Sequence, residues 1–261
     1  MNCDEELTGK YCSNCGQKSD THRITFRNFI EHDILHGAFH LEKGILFTAK
    51  EAIFRPGKSA LDYIYGKRKR YYNVFLLILI TIGFTLFIRH FYDGLISNLE
   101  SADQNIEKLN EASKALDELV SNYNKYIILL FVPLTAINTF VLFRRKKLNL
   151  SEHSIVGGMI LLGILLFSLF GNLIFYFNFI VDFTDTFLPT VITSSIILLI
   201  FSHIIRGIYY AFGSDYTKLG MAYRIALYFL MLFLEICMLF FLLYGIVTHW
   251  EFGEIVFSPF N

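Results

Sequence analysis

Three thiols stand at the start of the chain. Cys12 and Cys15 form a Cys-x-x-Cys turn in "KYCSNCGQK" (Lys10–Lys18), and Cys3 precedes them in the same segment. Thiolates at this spacing are the ligands of tetrahedral zinc, which takes four donors, normally from two such turns facing each other. The candidate ligands are therefore Cys3, Cys12 and Cys15, with His22, a histidine of the following segment or water as the fourth. Thiolates select zinc over magnesium or calcium. Gly16, next to the second thiol, suits the tight turn of such a site. A structural zinc knuckle is the expectation, and a degenerate, metal-free turn is the competing one.

Other side chains with possible chemistry lie further on. His32, His36 and His40 recur every fourth residue, on one helical face, with Glu31 and Asp33 beside them. Such a stripe binds a metal or titrates near neutrality, but it equally fits the border of an amphipathic helix at a lipid interface. Glu235, His203, Arg206 and Asn172 interrupt long apolar runs, as does Asn138. A carboxylate in the bilayer centre is costly, so Glu235 is expected to face the protein interior. There it either bonds to Asn172 or His203, or marks a proton or ion path. No glycine-rich phosphate loop, nucleophile elbow or His-Glu-x-x-His is present, so no enzymatic activity is expected.

The elements that hold these groups follow from composition. Of 261 residues, 54% are hydrophobic and only 18% are charged, a balance too apolar for a soluble domain. Five runs reach the roughly 20 residues that a membrane-crossing helix requires: Val74–Tyr92, Tyr126–Phe143, Ser154–Phe177, Thr190–Phe212 and Leu219–Thr248. The expected fold is an all-α integral membrane protein, a five-helix transmembrane bundle with a small N-terminal zinc knuckle and amphipathic interfacial helices. Residues 1–22 form the knuckle, 23–73 an amphipathic head, 74–248 the bundle and 249–261 a tail.

Linker charge orients this bundle. Lys67, Arg68, Lys69 and Arg70 precede the first run, Arg144, Arg145, Lys146 and Lys147 follow the second, and Lys218 follows the fourth. The linker Val181–Pro189 and the tail have no basic residue. Basic linkers stay cytoplasmic, so a multi-pass protein of the inner membrane is expected, with its amino terminus cytoplasmic and its carboxy terminus outside. Residues 95–123 carry Leu95, Leu99, Ala102, Ile106, Leu109, Ser113, Leu116, Val120 and Tyr123 at alternating spacings of four and three, a heptad stripe. This is an extracytoplasmic helix or hairpin folded on its own chain, or a seam between protomers in a homo-oligomer.

Between the thiols and the first run, Phe26, Ile30, Ile34 and Leu41 share one helical face, and Ile45, Leu46, Ala49 and Ile53 another, before Pro56 and Gly57 break the pattern. Leu61, Ile64 and Tyr65 repeat it. Two placements fit: helices lying in the headgroup region, or helices packed on the cytoplasmic ends of the spans. The Lys67–Arg70 run suits anionic lipid and the orientation rule, so no nucleic-acid partner is expected.

The chain resembles domain-of-unknown-function family 3667 in Cys12–Gln17, His36–Leu46, Arg55–Gly57 and Gly66–Tyr72. The resemblance implies a cysteine knuckle ending in Cys-Gly-Gln, a His-rich amphipathic stretch, an Arg-Pro-Gly turn and a Gly-Lys-Arg run before the first span. It also implies that Cys3 is the second thiol of a further Cys-x-x-Cys, whose partner would fall one position before Met1. No activity comes with it. The functional expectation is a non-enzymatic inner-membrane scaffold or regulatory protein presenting its cytoplasmic head to a protein partner. The alternative is an oligomeric channel or transporter using Glu235.

Overall fold

A computed structural model describes Cys3, residues 9–17, Ser19 and residues 44–97, 111–176, 187–247 and 250. Its α-helices are α1 Gly44–Phe54, α2 Pro56–Ile64, α3 Val74–Ser97, α4 Glu111–Leu142, α5 Leu150–Tyr176, α6 Leu188–Phe212 and α7 Lys218–Val247. Helices α3 to α7, with the 3-10 turn Gly213–Asp215 that extends α6, contain the five stretches long and apolar enough to cross a membrane: Val74–Tyr92, Tyr123–Leu142, Leu150–Tyr176, Leu188–Asp215 and Lys218–Ile246. They coincide with the five apolar runs, with shifted ends.

Capping explains one of those shifts. The Asn149 side chain accepts from the Glu152 amide (2.9 Å), and Glu152 Oε2 accepts from the Asn149 amide (2.7 Å). This reciprocal box starts α5 at Leu150, before the apolar run begins at Ser154, because polar capping residues extend a helix without extending its hydrophobic pattern. The first span is started the same way. Asn73 Oδ1 accepts from the amides of Phe75 (3.0 Å) and Leu76 (3.1 Å), two donors that would otherwise lack helical partners.

The centre of the bundle is α5, the most buried of the five spans. Its small residues decide what leans on it. A Cβ on Gly157 would meet Val132 and Thr135 of α4, one on Gly158 would meet Val74 and Phe75 of α3, and one on Gly171 would overlap Ile196 of α6. Glycine at these points lets three helices approach one axis closely. Helix α7 packs chiefly on α4. There Thr135 Oγ1 and Tyr228 Oη share a buried 2.9 Å hydrogen bond.

The two basic linkers meet at one end. Lys146 Nζ donates to Ser214 Oγ (2.9 Å), Arg145 Nη1 donates to the Asp215 carbonyl (3.1 Å), and Arg224 covers the Tyr216 ring at 4.3 Å. Cations that serve as an orientation signal in sequence thus also tie the α4–α5 linker to the α6–α7 linker.

The described part of the segment before the first span, residues 44–73, is not a surface cap, and the expected helix of Phe26, Ile30, Ile34 and Leu41 lies outside the described residues. Helices α1 and α2 form a hairpin set into the groove between α5 and α6, burying Thr48, Ala52, Pro56, Gly57, Ser59, Ala60, Tyr63 and Ile64. Of the two expected placements, α1 and α2 take packing against the spans. It goes deeper than expected, since the carbonyl of Ala52 lies against Gly163, the midpoint of α5 (Leu150–Tyr176). Pro56 at the first turn of α2 permits the abrupt reversal, because its missing N–H would have no helical acceptor there.

The heptad segment is described only in part. Helix α3 continues to Ser97, and α4 starts at Glu111 and runs without a break into the second span. Residues 98–110 lie outside the described residues, as do His22, His32, His36, His40 and the tail beyond Trp250.

Candidate functional site

The Cys-x-x-Cys segment forms a closed turn. The Gly16 amide donates to the Cys12 carbonyl (2.9 Å) and the Cys12 amide to the Gln17 carbonyl (2.8 Å), which closes the Cys-x-x-Cys turn on itself. Gly16 has φ +68°, a conformation that residues with a Cβ resist. The turn directs both of its thiols toward Cys3. All three sulfurs lie within 4.8 Å of one another, with Cys3 Sγ and Cys12 Sγ 3.5 Å apart. Tetrahedral thiolates bound at ~2.3 Å from zinc stand about 3.8 Å from each other, so this cluster fits three corners of such a site. Among the described residues no fourth protein ligand joins it.

Gln17 explains the third residue of the Cys-Gly-Gln element. It is 7% exposed, and its side-chain oxygen accepts from the Lys69 amide at 3.1 Å. That bond docks the knuckle on the basic run before the first span. The run is itself a compact turn: Gly66 has φ +103°, Lys67 pairs with Asp62 (3.0 Å), and Arg68 Nε donates to the Tyr63 carbonyl (3.3 Å). Lys67 and Arg68 are therefore partly used in closing α2 onto α3, besides any role toward lipid. Next to them, burial first and then the carboxylates of Asp62 and Glu51 push the Tyr71 phenol well above its usual range, so it stays neutral.

The polar residues expected within the spans fall into three separate places. His203 and Arg206 sit together at the tip of the α1–α2 hairpin. Arg206 Nη2 donates to the Ile53 carbonyl (2.6 Å), satisfying a backbone acceptor at the end of α1. His203 is 2% exposed; its imidazole occupies the notch left by Gly163 and meets Phe167 edge-on. Its ring faces the backbone of Ile160 and Ile53 without a well-aligned hydrogen bond to either. One turn back, Glu51 accepts from Arg55 across the tip, its side chain 5% exposed against 53% for Arg55. Glu51 was not among the residues expected to matter, although its i, i+4 spacing to Arg55 was readable.

Glu235 has neither of the partners expected for it. Asn138, buried on α4, donates to Glu235 Oε2 at 2.9 Å, while His203 lies at the hairpin and Asn172 elsewhere. The reason is topological: α7 packs on α4 and meets α6 only slightly. Because the amide is buried in a span, Asn138→Leu is expected to cost about 1–3 kcal/mol by leaving the carboxylate without its donor. Thermal unfolding of Asn138→Leu, Glu235→Leu and the double variant checks this. Additive losses would show that the pair contributes nothing.

Asn172 lines a cleft bounded by α3, α4 and α5, at the end of the bundle away from the knuckle. Arg89 and Lys125 line the same cleft, and both escaped notice in the sequence. Lys125 stands just outside the apolar run that begins at Tyr126, and Arg89 is a single cation near the end of the first run.

Five apolar helices, four of them arranged around the central span α5, with a thiol knuckle docked at one end, define a multi-pass helical membrane protein. Residues 42–85 match a family described as Protein of unknown function (DUF3667). The match covers α1, α2, the basic turn and α3 as far as Thr85, so it coincides with the inserted hairpin and its exit into the first span. It does not include the thiols. No curated protein and no solved structure matches the chain.

Proposed function

We propose that the protein is a non-enzymatic membrane scaffold that holds a zinc-organised knuckle at the cytoplasmic base of its bundle for a protein partner. The observation that carries this reading is the Gln17–Lys69 bond. It anchors one face of the knuckle to the bundle, while Gly9, Lys10, Tyr11, Ser13 and Asn14 remain exposed on the other. Tyr11, 63% exposed, supplies the kind of aromatic anchor on which protein interfaces depend. A knuckle fixed in place loses less freedom on binding than one on a flexible tether. The basic linkers at the same end support a cytoplasmic location, by the rule that orients short loops.

A photo-reactive residue placed at Tyr11 is expected to cross-link one discrete protein in cells, and the yield is expected to fall several-fold in Gln17→Ala. The alternative, a channel or transporter, predicts instead a flux in liposomes that Glu235→Gln abolishes. That flux, with no cross-linked product at Tyr11, would sink the scaffold reading.

A further inference from the structure

Helices α3 and α4 both lean on α5 but, among the described residues, make little contact with each other, and a cleft of about 560 Å³ remains between them. Its size falls within the roughly 300–1,000 Å³ of ligand sites. The two ends of this cleft differ in chemistry. Toward the far end of the bundle stand Arg89, Lys125, Asn124, Ser168, Asn172 and Tyr176. Toward the middle stand Ile82, Ile128, Phe131, Leu161 and Leu165. Among the described residues, no carboxylate lines the cleft.

Depth decides what such a site holds. Arg89 lies three residues before the end of the first span at Tyr92, and Lys125 lies two residues after the second begins at Tyr123. Both cations are therefore at the level where lipid headgroups lie, and the apolar end lies deeper in the hydrocarbon. From Asn172 to Leu161 the cleft descends 11 residues of α5, ~16 Å at 1.5 Å per residue, the scale of an acyl chain. Charged residues inside spans are costly and turn toward cavities that use them. A small soluble anion would engage the cations and leave the apolar part to water.

We propose that this cleft binds an anionic phospholipid of the adjoining leaflet. Its phosphate is held by Arg89 and Lys125, with Asn172 and Ser168 donating to the headgroup oxygens, and one acyl chain runs between Ile128 and Leu165. A phosphate placed so receives charge-assisted hydrogen bonds in a setting drier than bulk water, where they are strongest. The inference is independent of the scaffold reading, since cleft and knuckle occupy opposite ends of the bundle.

The test uses the full-length protein in neutral detergent, titrated with dioctanoyl phosphatidylglycerol, dioctanoyl phosphatidylcholine or inorganic phosphate and followed by native mass spectrometry. Phosphatidylglycerol is expected to bind at least about tenfold more tightly than phosphatidylcholine. The preference should vanish in Arg89→Gln/Lys125→Gln. Lys125→Gln alone, at an exposed position, should reduce it severalfold without affecting folding. Ile128→Trp, which narrows the apolar end and keeps both cations, should weaken phosphatidylglycerol as well. Equal binding of the two lipids, or a preference that survives in the double variant, overturns the proposal. Displacement by inorganic phosphate at the same concentrations also overturns it, because the chain would then contribute nothing.

Discussion

Gly57→Ala is expected to lower stability by about 3 kcal/mol, moving the unfolding midpoint in detergent down by roughly 6–12 °C. The added Cβ would overlap the Gly207 carbonyl oxygen and stand 2.7 Å from the Ala211 nitrogen. Both are backbone atoms of α6, which cannot rotate away as a side chain would. Gly57 lies inside α2, where alanine is intrinsically favoured by up to ~1 kcal/mol, so helix propensity alone predicts the opposite sign. Gly83→Ala supplies the control. Nothing lies within 4 Å of a Cβ at that position in α3, and the substitution should be neutral or slightly stabilising. A Gly57→Ala protein as stable as Gly83→Ala would mean that α2 does not pack on α6 as described. The same crossing accounts for the Arg-Pro-Gly element: proline starts the helix, and glycine brings it against a second glycine, Gly207.

Purified protein is expected to contain about one zinc per chain, falling at least tenfold in Cys12→Ser and in Cys15→Ser. The three sulfurs already converge, so each lost thiolate removes a ligand from one site. Cys237→Ser, an exposed thiol on α7, should leave the metal content unchanged. Thiolate ligands must be deprotonated, so the zinc should be released as pH falls, and chelation at constant pH should release it too. Elemental analysis of the parent and the three variants decides the matter. Absence of zinc from the parent would reduce the knuckle to a turn that docks through Gln17 alone.

The five spans were legible along the chain because a bilayer imposes a one-dimensional requirement: each crossing needs about 20 consecutive apolar residues, whatever its neighbours are. The Cys-x-x-Cys turn was legible for a similar reason, since its chemistry is local and Gly16 marks its backbone. The hairpin was only half legible. Apolar periodicity in Gly44–Phe54 and Pro56–Ile64 shows that one face of each helix is covered, but lipid and protein satisfy that periodicity equally well. What placed the hairpin in the α5–α6 groove is the coincidence of small residues at the crossings, Ala52 with Gly163 and Gly57 with Gly207. These residues are more than a hundred positions apart in sequence.

Polar partners within the bundle depended even more on three dimensions. Glu235 pairs with Asn138 because α7 lies on α4, and Asn172 joins Arg89 and Lys125 because α3 and α4 diverge around α5. In a membrane the helices share similar apolar surfaces, so hydrophobicity does not determine which of them become neighbours. Shape at a few glycine and alanine contacts and a few buried hydrogen bonds does, and neither leaves a periodic trace in the chain.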